Sequence, residues 1–314
     1  MADAQRDGAR QIITRRRLFA GGVVGGSAVI AGAIELVNTG TLPGKTLLDR
    51  IDGACDVPGP AETFAHSGQT VTGGFFSRAR NRTVAYTIAY PPGRVPGSRL
   101  SLVVYLYGDG GDHTSPLGNY TLAQTLAAHT TAGPLPPIAL VCADGGKNLY
   151  WNPHPDDDPL AMLTDELIPL CRKHGLGLGA RLGVLGVSMG GYGALLLAER
   201  RPDLISAVAA ISPAVFTSYA QARAVNSEAF ASAADFASDD VITGAGRLHA
   251  KPVRIASGND DPLRPGALAL SRRLPRATLY LGPGCHDAAF FSQQQLPSLE
   301  FLANHLSTSV PGSP

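Results

Sequence analysis

The feature that most constrains this chain is a strand-to-helix turn. An apolar run at 181–187 passes through Gly186-Val187-Ser188-Met189-Gly190 directly into Gly191-Tyr192-Gly193-Ala194-Leu195-Leu196-Leu197. A short apolar run ending in glycine reads as a buried strand, and the small and apolar residues after it read as a helix. Ser188 then occupies a sharp turn in which the residues two before and two after crowd each other unless both are very small. Glycines at 186 and 190 meet that need. Such a turn lifts a serine hydroxyl clear of the end of a strand, where it can act as a nucleophile. With 37 glycines in the chain the five-residue pattern alone would carry little weight. The flanking elements give it weight.

The rest of the chain supplies the sheet that such a turn requires. Apolar runs at 100–107, 138–142, 205–211, 253–257 and 277–281 are each bounded by Gly, Pro, Asp or Ser, as expected of strands buried on both faces of a parallel sheet. Two β-branched and aromatic runs, 71–76 and 83–90, flank the basic turn 78–82 and predict an antiparallel pair that opens the sheet. Helices are expected at 117–129, 159–173, 190–200, 265–274 and 288–306, with Pro159 at a helix start and Pro169 kinking its helix. The segment 213–246 is longer than a plain connection and rich in Ala, Ser and Asp, so it predicts a small helical cap. Alternating strands and helices place a site at the carboxyl ends of the strands. The catalytic domain is expected to span 69–308, followed by a flexible tail at 309–314.

A serine hydroxyl needs a base, and in a fold of this kind the chain order is serine, acid, histidine. His286 directly follows the last predicted strand, whereas His249 precedes its strand and His305 lies near the end of the last helix. The acid is expected in the turn after 253–257, which reads Gly258-Asn259-Asp260-Asp261-Pro262. Asp261 is the candidate and its neighbour Asp260 the alternative. The N–H of Met189, next to the nucleophile, is one expected oxyanion donor. The second is expected from Gly108-Asp109-Gly110-Gly111-Asp112, with Asp109 as the donor in a register open by one residue. Tyr150 and Trp151 either line the substrate pocket or pack beneath their loop.

Two clusters, Asp109 with Asp112 and His113, and His154 with Asp156, Asp157 and Asp158, lack the spacing of a metal module. No metal and no other cofactor is therefore expected. A net charge of +1 with interspersed signs offers no stripe for nucleic acid. Arg15-Arg16-Arg17 before an uncharged, Gly- and Ala-rich run predicts a twin-arginine export signal over 1–37, then a linker over 38–68. Export permits disulfides. Of the four cysteines, Cys142 and Cys171 read as small core residues, while Cys55 and Cys285 sit in Gly/Pro-rich loops and form the candidate bridge, with a free thiol at Cys285 as the alternative.

From about residue 71 to 306 the chain resembles the esterase branch of the α/β hydrolases that includes S-formylglutathione hydrolase, feruloyl esterase domains and the mycolyltransferases. The carrying residues are Asp144-Gly145-Gly146 with Tyr150-Trp151, Asp165-Glu166-Leu167-Ile168-Pro169, the turn around Ser188, Asp261-Pro262-Leu263, and His286 followed by Phe290-Phe291 and Leu296-Pro297. The resemblance implies an α/β-hydrolase fold with Ser188, Asp261 and His286 as catalytic residues. Tyr107-Gly108 departs from the His-Gly of many relatives, and Phe291 stands where Trp is common. Three functions are carried forward. The first is hydrolysis of a small-molecule or lipid ester through an acyl-enzyme on Ser188, outside the cytoplasm and with cell-envelope association as an option. The second is acyl transfer to a sugar or glycerol. The third is a non-catalytic binding protein on the same fold.

Overall fold

The computed structural model describes residues 68–118, 137–146, 149–178 and 182–307. Eight strands form one sheet: β1 (Thr70–Ser77), β2 (Arg82–Ala89), β3 (Ser101–Leu106), β4 (Ile138–Ala143), β5 (Leu182–Val187), β6 (Ile205–Ile211), β7 (Val253–Gly258) and β8 (Thr278–Gly282). Their order is β1-β2-β4-β3-β5-β6-β7-β8. The opening pair is antiparallel, as its pattern predicts, and β2 continues antiparallel onto β4. Every later pairing is parallel. Strands β4 to β7 are buried along their whole length, which is why they read as unbroken apolar runs. The edge strands β1 and β8 are largely exposed.

The helices, in chain order, are α1 (Ser115–Gly118), α2, α3 (Met189–Arg200), α4 (Tyr219–Val225), α5 (Ala233–Asp239), α6 (Val241–Gly244), α7 (Arg264–Arg273) and α8 (Ala288–Ser307). Of the helix expected at 117–129, only its first two residues lie within the described segments. Helix α2 is continuous in three stretches, Pro159–Ala161, the π-turn Met162–Leu167 and Ile168–Lys173. Pro169 directly follows the π-turn, and the interruption of the α-register falls where the sequence places the proline. The Ile168 N–H reaches back to Leu163 O, five residues away. A widened turn removes the register conflict that a proline ring, lacking an N–H, imposes on an α-helix.

Helices α3 and α8 both pack on β5 and β6, at the centre of the sheet. The approach of α8 is close because a Cβ at Gly183 would press against Leu302 and Leu306. Within the segment expected to form a cap lie α4, α5 and α6, the first two opened by Ser218 and Ser232, whose hydroxyls accept from Gln221 N and Asp235 N. The segment is joined to α3 by the Tyr192 hydroxyl, which donates to Asp239 O, and by aromatic contacts among Tyr192, Phe230 and Phe236. Segments 1–37 and 309–314, read as export signal and tail, lie outside the described residues, as does the linker up to residue 67.

Candidate active site

Ser188 ends β5 and opens α3 with φ 54° and ψ −118°, a backbone that non-glycine residues rarely adopt. The strain is held in place by the Ser188 N–H, which donates to Ile211 O at 2.9 Å, and by the Ser188 carbonyl, which accepts from Ala214 N at 2.9 Å. Both glycines of the motif are sterically required. A Cβ at Gly186 would fall on the Gly190 carbonyl, and one at Gly190 on the carbonyls of Leu106 and Tyr107. Gly190→Ala is therefore expected to destabilise the fold by roughly 3 kcal/mol or more, at the upper end of overpacking costs. Chemical denaturation of the purified variant measures this, and a change within about 0.5 kcal/mol would contradict the close approach.

The candidate base, His286, comes from the loop after β8. His286 Nε2 lies 2.7 Å from Ser188 Oγ, and its Nδ1 lies 3.0 and 3.1 Å from the two oxygens of Asp261. A carboxylate facing Nδ1 fixes the proton on that nitrogen and leaves Nε2 to accept from the serine hydroxyl. The loops carrying Asp261 and His286 are fastened to each other: Asn259 N donates to Gly282 O at 2.8 Å and Asp260 N to Gly284 O at 3.0 Å. Asp261 is buried and also accepts from Leu263 N at 2.8 Å. The neighbouring Asp260 is half-buried, and the carboxylate that meets His286 is that of Asp261.

Burial works to raise the pKa of Asp261, but the facing imidazole and the donors around it prevail and hold it below the ordinary carboxylate value. For His286, burial works downward, yet the Asp261 charge and hydrogen bond prevail and raise it above the ordinary histidine value. Phe291 covers the imidazole edge-on, with ring centroids 5.1 Å apart.

The loop after β3 lies against Ser188, where a Cβ at Gly108 would sit 3.2 Å from Ser188 Cβ. Asp109 follows Gly108 in this loop, and Met189 follows Ser188 and opens α3. Trp151 is fully buried, its indole beneath the β3 loop, and so does not stand on an open pocket wall. Tyr150 is buried among Tyr192, Phe216 and Phe230. Cys285 is buried and disulfide-bonded, while Cys142 and Cys171 are free thiols. Cys55 lies outside the described residues.

Ser212 is a residue that the sequence does not single out. It follows β6 with φ 44°, is buried, and turns its hydroxyl toward Asp261 without reaching good hydrogen-bond geometry. A serine before Pro213 reads as an ordinary turn residue, and only the strained φ marks it.

The family model described as "Putative esterase" matches residues 77–305. The chain belongs to this esterase family. As a member it is a carboxylic ester hydrolase with an α/β-hydrolase fold. Among solved structures it is similar to a ferulic acid esterase, with 16% identity and TM-score 0.67 over 77% of this chain and 100% of the other. An S-formylglutathione hydrolase from Agrobacterium tumefaciens is similar at 20% identity and TM-score 0.61, over 80% and 100% of the two chains. A feruloyl esterase module from Clostridium thermocellum, solved as an S954A mutant with sinapinate, is similar at 15% identity and TM-score 0.60, over 82% and 96%. No curated protein matches the sequence.

Proposed function

We propose that this esterase works through an acyl-enzyme on Ser188, with His286 as general base and acid and Asp261 as the group that orients it. The observation that carries the reading is the chain of contacts Ser188 Oγ to His286 Nε2 at 2.7 Å and His286 Nδ1 to Asp261 at 3.0 Å. The Ser188 proton passes to Nε2 as Oγ adds to the ester carbonyl, and the imidazolium that forms is stabilised by the Asp261 carboxylate. The oxyanion is received by the N–H of Met189, in the first turn of α3 where the helix dipole is positive, and by that of Asp109. Collapse expels the alcohol, protonated by Nε2. Water then repeats the sequence on the acyl-enzyme and releases the acid.

The expected site of action is outside the cytoplasm. Arg15-Arg16-Arg17 ahead of the apolar run supports the twin-arginine route, and a disulfide at Cys285 fits an oxidising compartment.

Labelling of Ser188 by a fluorophosphonate, located by peptide mapping, tests the nucleophile. Turnover of a ladder of p-nitrophenyl esters, with and without a sugar acceptor, defines the acyl chain and separates hydrolysis from transfer. Absence of both labelling and turnover would overturn the proposal. A pH prediction follows from the His286 environment. The neutral imidazole is the active base, so kcat/KM rises with pH through the His286 ionisation. Because the Asp261 charge raises that ionisation, the midpoint is expected above the ordinary value of about 6.5. A profile flat between pH 5 and 9, on the order of the range histidines titrate in, would contradict it.

A further inference from the structure

We propose that Trp151 is a positioning residue for the oxyanion hole, acting through the peptide unit between Tyr107 and Gly108; the inference rests on the acyl-enzyme reading of Ser188. The indole Nε1–H donates to Tyr107 O at 3.2 Å, with both groups buried. A peptide is planar, so a donor that fixes the Tyr107 carbonyl also fixes the direction of the Gly108 N–H. The next peptide, which carries the Asp109 N–H, hangs from this one through Gly108 Cα, and because Gly108 O accepts from Gly111 N at 3.1 Å the Asp109 N–H points the opposite way. Between them these two bonds set the planes of the Gly108 and Asp109 N–H groups. Gly108 itself lies against Ser188, so a rotation of either peptide would be felt at the nucleophile.

The indole is also wedged between the loop after β4 and the nucleophile helix. A Cβ at Gly145 would fall on the six-membered part of the ring, and one at Gly193 would sit 2.5 Å from Trp151 Cβ. Gly193 belongs to α3, the helix opened by Ser188. Trp151 therefore ties the loop with one candidate donor to the helix with the other. The Tyr107 side chain completes the brace: its ring meets the indole edge-on at 5.1 Å, and its hydroxyl accepts from Gly145 N at 2.7 Å. Trp151 and Tyr150 both hold left-handed backbones, φ 60° and 50°, a conformation unfavourable for aromatic residues. The packing and the hydrogen bond around the indole are what hold that strained backbone in place.

The chain contains a single tryptophan, so global replacement of tryptophan by β-(3-benzothienyl)alanine in an auxotroph changes this site alone. Sulfur replaces the N–H and the ring shape is kept. The expected result is a kcat lower by about tenfold to a hundredfold, less than the loss of a hole donor itself, with KM within about threefold. Affinity for a boronic acid that mimics the tetrahedral intermediate should fall by a factor like that in kcat, while affinity for the carboxylate product and the pH midpoint stay unchanged. Trp151→Phe, which also lacks the donor, provides the same readouts if the analogue protein does not fold. A kcat within twofold of the parent, or equal weakening of boronate and product binding, would overturn the inference. Fluorophosphonate labelling of the parent enzyme separates the two levels: a parent that fails to label refutes the Ser188 reading, whereas a labelled parent with an unaffected analogue refutes the role of Trp151 alone.

Discussion

Ser188→Ala is expected to lower kcat by roughly 10⁴-fold or more while the protein keeps its fold. The size follows from the chemistry, since without Oγ no acyl-enzyme forms and only the hole and binding contacts remain to assist direct attack by water. Retention of the fold follows from where the turn is held. Its bonds to Ile211 O and Ala214 N are made by the Ser188 backbone, and the hydroxyl contributes only the contact with His286. Alanine must still adopt φ 54°, a strain serine already bears, so a small shift in unfolding temperature is expected and not a collapse. Kinetics and a thermal melt of the same preparation decide it. Retention of a tenth of the activity would sink the assignment of Ser188.

The turn around Ser188 was legible because everything that defines it lies within about ten residues: a strand, two glycines in the required places and a helix. Strands β3 to β7 were legible for a related reason, since burial on both faces leaves a run with no polar interruption. Their lateral order was another matter. That β3 lies between β4 and β5, and that β2 turns antiparallel onto β4, are pairings across long stretches of chain that no local pattern encodes.

The site shows the same division. His286 could be found by its place after the last strand, but the choice between adjacent aspartates depended on which side chain a turn directs inward. Ser212 and the donor role of Trp151 left almost no trace in sequence. One acts through a strained backbone dihedral, and the other through a bond to a carbonyl 44 residues away. Pro169 marks an irregularity that was legible, but its form, a turn widened by one residue just before the proline, was not.

Asp261→Asn is expected to lower kcat/KM at neutral pH by about 10³ to 10⁴-fold, and Asp260→Asn by less than about threefold. Asp261 Oδ1 accepts from Leu263 N at 2.8 Å, and Oδ2 is the oxygen nearer His286 Nδ1, at 3.0 Å. An asparagine keeps its carbonyl oxygen on the Leu263 N–H and so turns its NH₂ toward the imidazole. Two donors cannot face each other, so the ring takes the tautomer with its proton on Nε2, where it can no longer accept from Ser188 Oγ. Loss of the negative charge also removes what raises the His286 ionisation, so the residual activity should show its pH midpoint shifted downward. At position 260 the contact that links acid and base loops is the backbone N–H on Gly284 O, which asparagine preserves. Full pH profiles of both purified variants provide the measurement. A severe loss in Asp260→Asn together with a mild one in Asp261→Asn would transfer the role of the acid to Asp260.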